Sequence, residues 1–457
     1  MELEILRNNW TTTNNGVPLG GEEVERLLAV RPSPAQLRQA ARPFYCFLHF
    51  GMNTATNREW GQGEEVPMDF TVMNPDSAQW AETVKASGAT GIILTCKHHD
   101  GFCLWNTAAT DFSVARSPFG GDIVAMTAAA CRKAGLDFGV YLSPWDMHEP
   151  SYATPRYNDF FCAQLRELLT NYGPIFEVWF DGAKGEEAAD FAYDWQRYYA
   201  LVRELQPEAN IAVCGPDIRW VGNEAGKTRR SEFSVVPHVL TLAETVERHS
   251  QHSEVQQMRR LQSSDEDLGS RAVLARHEAL CWYPAEVDVS IRPGWFHHPE
   301  EDSAVKSAGE LFQIYLDSVG NNCTLLLNVP PAADGRIPPA DQAALAGLGK
   351  RIQAMTVDPI AVAAPGEMRQ GWLELDFGGE RAPACCILEE DIAKSQRVER
   401  FDLYLRLPDG GLSLSRSGTV IGSRKILSLT GEAAVGAVLV IRQSRGAPQI
   451  KRMGIYA

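Results

Sequence analysis

The sequence predicts an α/β fold, a (β/α)8-like TIM barrel that is partly irregular, followed by a small antiparallel β-sandwich. Seven short runs, residues 44–50, 91–96, 138–143, 176–180, 211–214, 286–291 and 324–329, are mostly apolar on both parities. That is the pattern of strands buried on two faces. Helical patterns separate the runs, and regular alternation of strand and helix implies a parallel sheet. After about residue 356 the texture changes to period-two alternation broken by Gly and Pro turns, the pattern of an antiparallel sandwich.

Helical periodicity covers residues 77–87, where Ser77 can cap the start and Gly88 the end. It recurs over 123–134 before Gly135, over 159–171 before Tyr172-Gly173-Pro174, and over 187–204, 304–318 and 340–355. An eighth strand is expected within 234–280, a polar and poorly patterned stretch. The pattern breaks between 357 and 367, at Asp358-Pro359 and Pro365-Gly366. This divides the chain into a barrel with an N-terminal extension, 1–356, and a sandwich, 357–457. The sandwich strands are read at 372–377, 401–406 and 437–442.

An apolar fraction of 44% and a charged fraction of 22% exclude a disordered or fibrous chain. The net charge is −15, from 43 basic and 58 acidic residues. Nucleic-acid binding needs a basic stripe to neutralise phosphates, and the densest basic clusters are short, such as Arg229-Arg230 and Arg259-Arg260. The ten cysteines include no Cys-x-x-Cys pair, and several sit in apolar runs as buried thiols do. Met1-Glu2-Leu3-Glu4 shows no basic or apolar export signal, and no run of 18 apolar residues occurs. These features lead us to expect a cytoplasmic setting with no membrane or nucleic-acid partner; the oligomeric state is left open.

Barrels of this kind carry their chemistry at the C-terminal ends of the strands. Those ends read His49-Phe50-Gly51, then Lys97-His98-His99-Asp100, Tyr141-Leu142-Ser143, Trp179-Phe180-Asp181-Gly182 and the run Arg219-Trp220-Val221-Gly222-Asn223-Glu224. Glu286, Asp288 and Trp295 follow. Tryptophan faces stack on the apolar faces of sugar rings, while neutral histidines and carboxylates bind hydroxyls. A phosphate site would need Gly-rich loops and Lys or Arg. The pattern points to a carbohydrate-active barrel, and cleaving a glycosidic bond needs two carboxyl groups flanking it.

Asp181 is the candidate nucleophile, with a helix N-cap as the alternative. Glu224 and Glu286 compete for general acid/base, with Asn223 and Arg219 favouring Glu224; Glu59, beside Trp60, is a third candidate. His98 and His99 are read as binding substrate hydroxyls, with metal ligation or a core position as alternatives. Asp100 is expected to orient a histidine.

At these residues the sequence resembles glycoside hydrolase family 29, the α-L-fucosidases. The carrying motifs are Phe47-Leu48-His49-Phe50-Gly51-Met52 with Glu59-Trp60, then Lys97-His98-His99-Asp100-Gly101-Phe102, Gly139 to Asp146, and Trp179-Phe180-Asp181-Gly182. The resemblance implies a retaining mechanism that needs no metal or other cofactor, acting on fucosylated oligosaccharides or glycans. It implies Asp181 as nucleophile and His49, His98, His99, Tyr141 and Trp179 as fucose-binding residues. Trp295 would pack on the fucose methyl group. The run 215–226 is similar to the α-1,3/1,4-specific branch, which implies Glu224 as proton donor. Glu286 and Asp288 would then contact the galactose or aglycone side, and Arg219, Glu59 and Trp60 would join the substrate-binding set. Other classes held open are a fucosidase of broader aryl or α-1,2 specificity, a non-catalytic fucoside-binding protein on a degenerate barrel, and a metal-dependent hydrolase.

Overall fold

A computed structural model describes residues 13–14, 17–18, 21–188, 190–243, 261–368 and 371–457. Arg259-Arg260 and the first four residues lie outside the described residues, as does part of the stretch 234–280.

Eight parallel strands form the barrel: β1 Phe44–Leu48, β2 Gly91–Lys97, β3 Asp137–Leu142, β4 Glu177–Phe180, β5 Asn210–Val213, β6 Arg219–Trp220, β7 Ala285–Ser290 and β8 Cys323–Asn328. They pair in ring order, and a parallel bridge between Ala212 and Ile218 closes the seam from β5 to β6.

The eighth strand is therefore not in 234–280, where it was expected. It is β6, whose Arg219 and Trp220 pair with Ala285 and Glu286 of β7. Two residues, one of them charged, leave no apolar run to read. No helix joins β5 to β6. Instead the Asp217 carboxylate accepts the Ile211 N–H of β5 at 2.7 Å and is held by Arg203 at 2.6 Å. Within 234–280 the described residues supply Val235–Pro237 and Leu280–Trp282, an antiparallel pair outside the barrel.

The helices follow the expected periodicity with shifted starts. Helix Ser77–Ala86 is capped by Asp76, whose Oδ1 accepts Gln79 N–H at 3.0 Å. Ser77 is buried instead, its hydroxyl 3.0 Å from that of Thr127. Helix Ile123–Ala134 ends at Gly135, whose φ of 74° suits a residue without Cβ. The pattern over 187–204 becomes a helix only at Trp195–Leu205, behind an Asp194 cap. The helix expected from 304 starts at Ala308, where Ser307 and Glu310 form a capping box.

Helix Pro34–Ala40 sits against the N-terminal side of the ring. Its Ser33-x-x-Gln36 capping box leaves the Gln36 amide free to donate to the carbonyls of Asp217 at 2.8 Å and Trp282 at 2.9 Å. One short helix thus ties the irregular β5–β6 connection to the strand preceding β7.

Helix Pro339–Thr356 is followed by two antiparallel sheets. One orders Pro359–Ala363, Gln449–Tyr456, Cys385–Glu390 and Lys425–Ser428; the other orders Trp372–Arg381, Ala434–Ser444, Val398–Arg406 and Leu412–Gly418. Cys385, Ile387, Ile426 and Tyr456 of the first sheet pack into the barrel's own apolar core. Asn322, just before β8, donates to Glu232 O at 2.9 Å and accepts from Ser423 N–H at 2.7 Å, stitching barrel to sandwich.

Beyond β7, Arg292 is fully buried and makes a two-point bond to Asp341, at 2.9 and 2.7 Å. This fixes the start of the loop that carries Trp295. Removing the carboxylate leaves the buried guanidinium with only the exposed Asp302, at 2.8 Å, as counter-ion; losing the buried partner of a buried pair costs at most about 3–5 kcal/mol. Asp341→Ala is accordingly expected to lower stability by up to that amount in urea denaturation; a loss below about 1 kcal/mol would show the pair to be dispensable.

Candidate active site

Alternation along a strand sends every second side chain inward. On β1 these are Tyr45, Phe47 and then His49; on β4 they are Glu177, Trp179 and then Asp181. The last of each series reaches the C-terminal mouth. There a cavity of about 550 Å³ is lined by His49, Glu59, Trp60, His98, His99, Tyr141, Trp179, Asp181, Glu224, Asp288 and Trp295, together with Phe47, Gly182, Ala183, Val213 and Trp220. Eleven of the thirteen residues expected to act in catalysis or substrate binding thus share one cavity; Arg219 and Glu286 do not line it.

Asp181 is held from two sides. Its Oδ2 accepts the Tyr141 hydroxyl at 3.0 Å and its Oδ1 accepts Ala183 N–H at 2.8 Å. The second bond closes a local turn. The next α-helix starts only at Trp195, so the N-cap alternative falls. The Asp181 side chain keeps 23% exposure toward the cavity.

The three histidines are electrically neutral. Burial pushes His49 down to about 4, and burial with neighbouring rings pushes His98 well below the usual range; burial also lowers His99. The hydrogen bonds assign their protons. Asn328 gives its amide N–H groups to Ser290 Oγ at 2.9 Å and Trp295 O at 2.7 Å, so its Oδ1 accepts from His49 Nδ1 at 2.8 Å. Ser143 donates to Trp145 O at 2.7 Å and so accepts from His99 Nδ1 at 2.7 Å. Both rings are left with an acceptor nitrogen, Nε2. His98 and His99 can share the cavity although adjacent because β2 ends at Lys97. His98 Nδ1 is buried with no protein partner. No three His, Cys, Asp or Glu side chains converge as a metal cage among the described residues.

Aromatic rings complete the walls. Tyr141 and Trp179 stack at 5.5 Å, Trp295 lies 5.1 Å from the His49 ring, and Trp60, 55% exposed, stands edge-on to His99 and Trp145. Glu59 organises the Trp295 loop: its carboxylate accepts Trp295 N–H at 2.6 Å, Phe296 N–H at 3.1 Å and His298 Nε2–H at 3.0 Å.

Three expectations need correction. Glu286 is not at the mouth. It lies two residues before Asp288 on β7, about 6.6 Å deeper along the strand, and is 1% exposed. Trp179 Nε1–H donates to it at 2.8 Å, and the Tyr45 hydroxyl sits between it and Glu177. Burial, reinforced at Glu177 by the facing Glu286, pushes both carboxyls up, so the pair retains a proton. It cannot serve the cavity as acid/base or touch an aglycone. Arg219 is likewise 1% exposed and bound to Glu232, a structural ion pair rather than a substrate contact. Asp100 orients no histidine. It accepts Phe102 N–H at 2.7 Å, and burial pushes it up to about 7.

Glu224 stands exposed at the rim, and Asp288 is the second carboxyl at that side. Trp220 Nε1–H donates to Asp288 Oδ1 at 2.8 Å, and burial together with Glu224 pushes Asp288 well up. Sequence reading missed Asn328 as a site residue, and it gave no role to Ser143 and Trp220, which stood in its strand-end runs. Asn328 ends β8 and could have been found by the same strand-end rule.

A family model described as alpha-L-fucosidase matches residues 52–355. The chain is 35% identical to Alpha-L-fucosidase 1 of Arabidopsis thaliana over 93% of this chain and 87% of that protein. Among solved structures it is similar to a glycoside hydrolase 29 family member from an unknown rumen bacterium, with TM-score 0.82 and 36% identity over 93% of this chain and 77% of that one. It is also similar to a Ruminococcus gnavus GH29 fucosidase in complex with fucose, with TM-score 0.79 and 27% identity over 93% and 95% of the two chains. With this fold and this cavity, the chain belongs to the α-L-fucosidase family of glycoside hydrolases.

Proposed function

We propose that this α-L-fucosidase works by retention, releasing terminal fucose from α-1,3/1,4-branched, Lewis-type oligosaccharides, with Asp181 as nucleophile and Glu224 as acid/base. The observation that carries the reading is the Asp181 carboxylate, oriented by Tyr141 and Ala183 N–H at the end of β4, in a cavity with neutral histidines and a second carboxylate, Glu224. The catalytic unit is residues 1–356, and 357–457 is a supporting β-sandwich.

In this mechanism the Nε2 acceptors of His49 and His99, with the partly exposed His98 ring beside them, take up fucose hydroxyls. Trp295 packs on the methyl group. Asp181 attacks the anomeric carbon as the bond to the leaving oxygen breaks and Glu224 gives that oxygen its proton. Water then attacks the same carbon, losing a proton to Glu224 and freeing Asp181. Asp288 faces Glu224, so its retained proton spares Glu224 a second negative neighbour. The cavity volume, about 550 Å³, suits a ligand of more than one ring. Trp220, Glu224 and Asp288 are the side on which an adjoining sugar would be read.

Asp181→Ala should fold normally and lose nearly all turnover, while Glu224→Ala should lose about 10²- to 10⁴-fold on a natural glycoside. Azide separates the roles. With Glu224→Ala it should intercept the fucosyl-enzyme and give α-fucosyl azide; with Asp181→Ala it should attack substrate directly and give the β-anomer. The opposite pairing of products would exchange the two assignments.

Substrate range is tested with an aryl α-L-fucoside beside a trisaccharide carrying α-1,3/1,4-linked fucose. Preferential release from the trisaccharide is expected. Aryl cleavage alone would keep the chemistry and reject the branch assignment.

The neutral histidines also set a pH dependence. His49 falls from an unfolded value near 6.5 to about 4 in the fold. Its contribution is therefore complete above about pH 6.5 and is lost as pH falls toward 4, by about 3 kcal/mol in total. Urea titrations between pH 7 and 4 should show His49→Asn with a shallower decline than wild type; identical slopes would mean His49 is not neutralised by burial.

A further inference from the structure

A second cavity, of about 560 Å³, lies where the barrel meets the sandwich, away from the residues of the active site. Its character opposes that of the whole molecule. In a chain of net charge −15, this cleft gathers Lys227, Arg230, Arg416 and Lys425. None of these four makes an ion pair with a carboxylate among the described residues. A fifth cation, Arg229, is already neutralised by Glu232 at 3.1 Å. The one carboxylate in the lining, Asp317, is exposed and accepts from Gln313 at 2.9 Å. Lys425 rests on the neutral Asn321 Oδ1. Burial, with Arg230 nearby, pulls this ammonium down to about 8, as expected for a charge without a counter-ion.

The walls are built rather than loose. Thr228 donates to Asp317 O at 2.7 Å and accepts from Asn321 Nδ2 at 2.7 Å. Ser231 donates to Thr419 at 2.8 Å, and Thr419 donates to Arg230 O at 3.2 Å. Barrel loop and sandwich hairpin are thereby locked together. Ser428 also lines the cleft beside its cations, while the Ser417 hydroxyl is turned to Asp402 at 2.6 Å. Cations among hydroxyls suit an acidic sugar better than a bare ion, which would leave most of the volume to water.

The same loop serves both cavities. Glu224 lines the active site and Lys227 lines the cleft. Three residues of chain span at most about 11 Å, within reach of a single oligosaccharide.

We propose that this cleft is a second glycan site, binding an acidic sugar bearing a sulfate ester or a carboxylate, on the glycan whose fucose is removed. Its link to the substrate rests on the reading of the active site; its anion chemistry does not.

The test is calorimetric titration of the full chain with a sulfated tetrasaccharide, a neutral tetrasaccharide of similar size, and inorganic sulfate at matched ionic strength. The sulfated sugar should bind and the neutral one should not. Arg230→Gln, on an exposed side chain, and Lys425→Gln should each weaken binding about tenfold or more, as loss of a charge-assisted bond does. Both variants should cleave aryl fucoside as wild type does, which also shows that they fold. Absence of binding, or binding unaffected by both substitutions, would overturn the site. Inorganic sulfate competing as strongly as the sugar would reduce it to an adventitious ion only. A wild-type chain that binds the sulfated sugar yet cleaves no fucoside would sink the fucosidase reading and leave the cleft standing.

Discussion

Closing eight parallel strands into a ring forces every second side chain of each strand into one narrow interior, and the rest of this structure depends on how that interior is layered. On β4 the inward series is Glu177, Trp179, Asp181; on β7 it is Glu286, then Asp288. The lower carboxyls are sealed together around the Tyr45 hydroxyl. Trp179 stands on that layer through its bond to Glu286, and its ring forms part of the cavity wall. Asp181 stands one step higher, where solvent and substrate can reach it. Three acidic or aromatic residues on one short strand thus have different chemistry because they sit at different depths.

Around this stack, the loops are fixed by polar groups that serve each other before they serve a ligand. Glu59 joins the loop bearing Trp60 to the one bearing Trp295 through three hydrogen bonds. Asn328 sets the proton of His49 and braces the Trp295 carbonyl at the same time. The buried Arg292–Asp341 pair anchors the base of that loop. The cavity is consequently shaped before any sugar arrives, the condition under which binding energy goes into orienting the reacting groups.

Much of the fold and site was legible beforehand. Strands buried on both faces write apolar runs, so seven of eight barrel strands could be read, and strand-end logic then collected nine residues of one cavity, with Glu59 and Trp60 singled out apart from it. What escaped has physical causes. β6 is two residues long and defined by its pairing to β7, so no periodicity marks it. Glu286 looked equivalent to Asp288 because both lie on the inward parity; parity says which way a side chain points and nothing about its depth. Arg219 stood in a polar run beside Glu224, and only the fold brings Glu232 against it. The cap of Ser77–Ala86 slipped by one residue because Asp76 and Ser77 are both able to cap, and Ser77 was claimed by Thr127.

The sequence by itself determined the parallel barrel, the change to sandwich texture, and the identity of the carboxylate and histidines at the strand ends. These are written in local order, in the parity of apolar residues and in the residues just past each run. Tertiary structure alone decided which carboxyls are buried and which are open, which nitrogen of His49 and of His99 carries the proton, and that isolated cations from residues 227, 230, 416 and 425 meet in one cleft. Those properties depend on depth and on partners far apart in the chain, and they arise only when the ring closes and the sandwich docks.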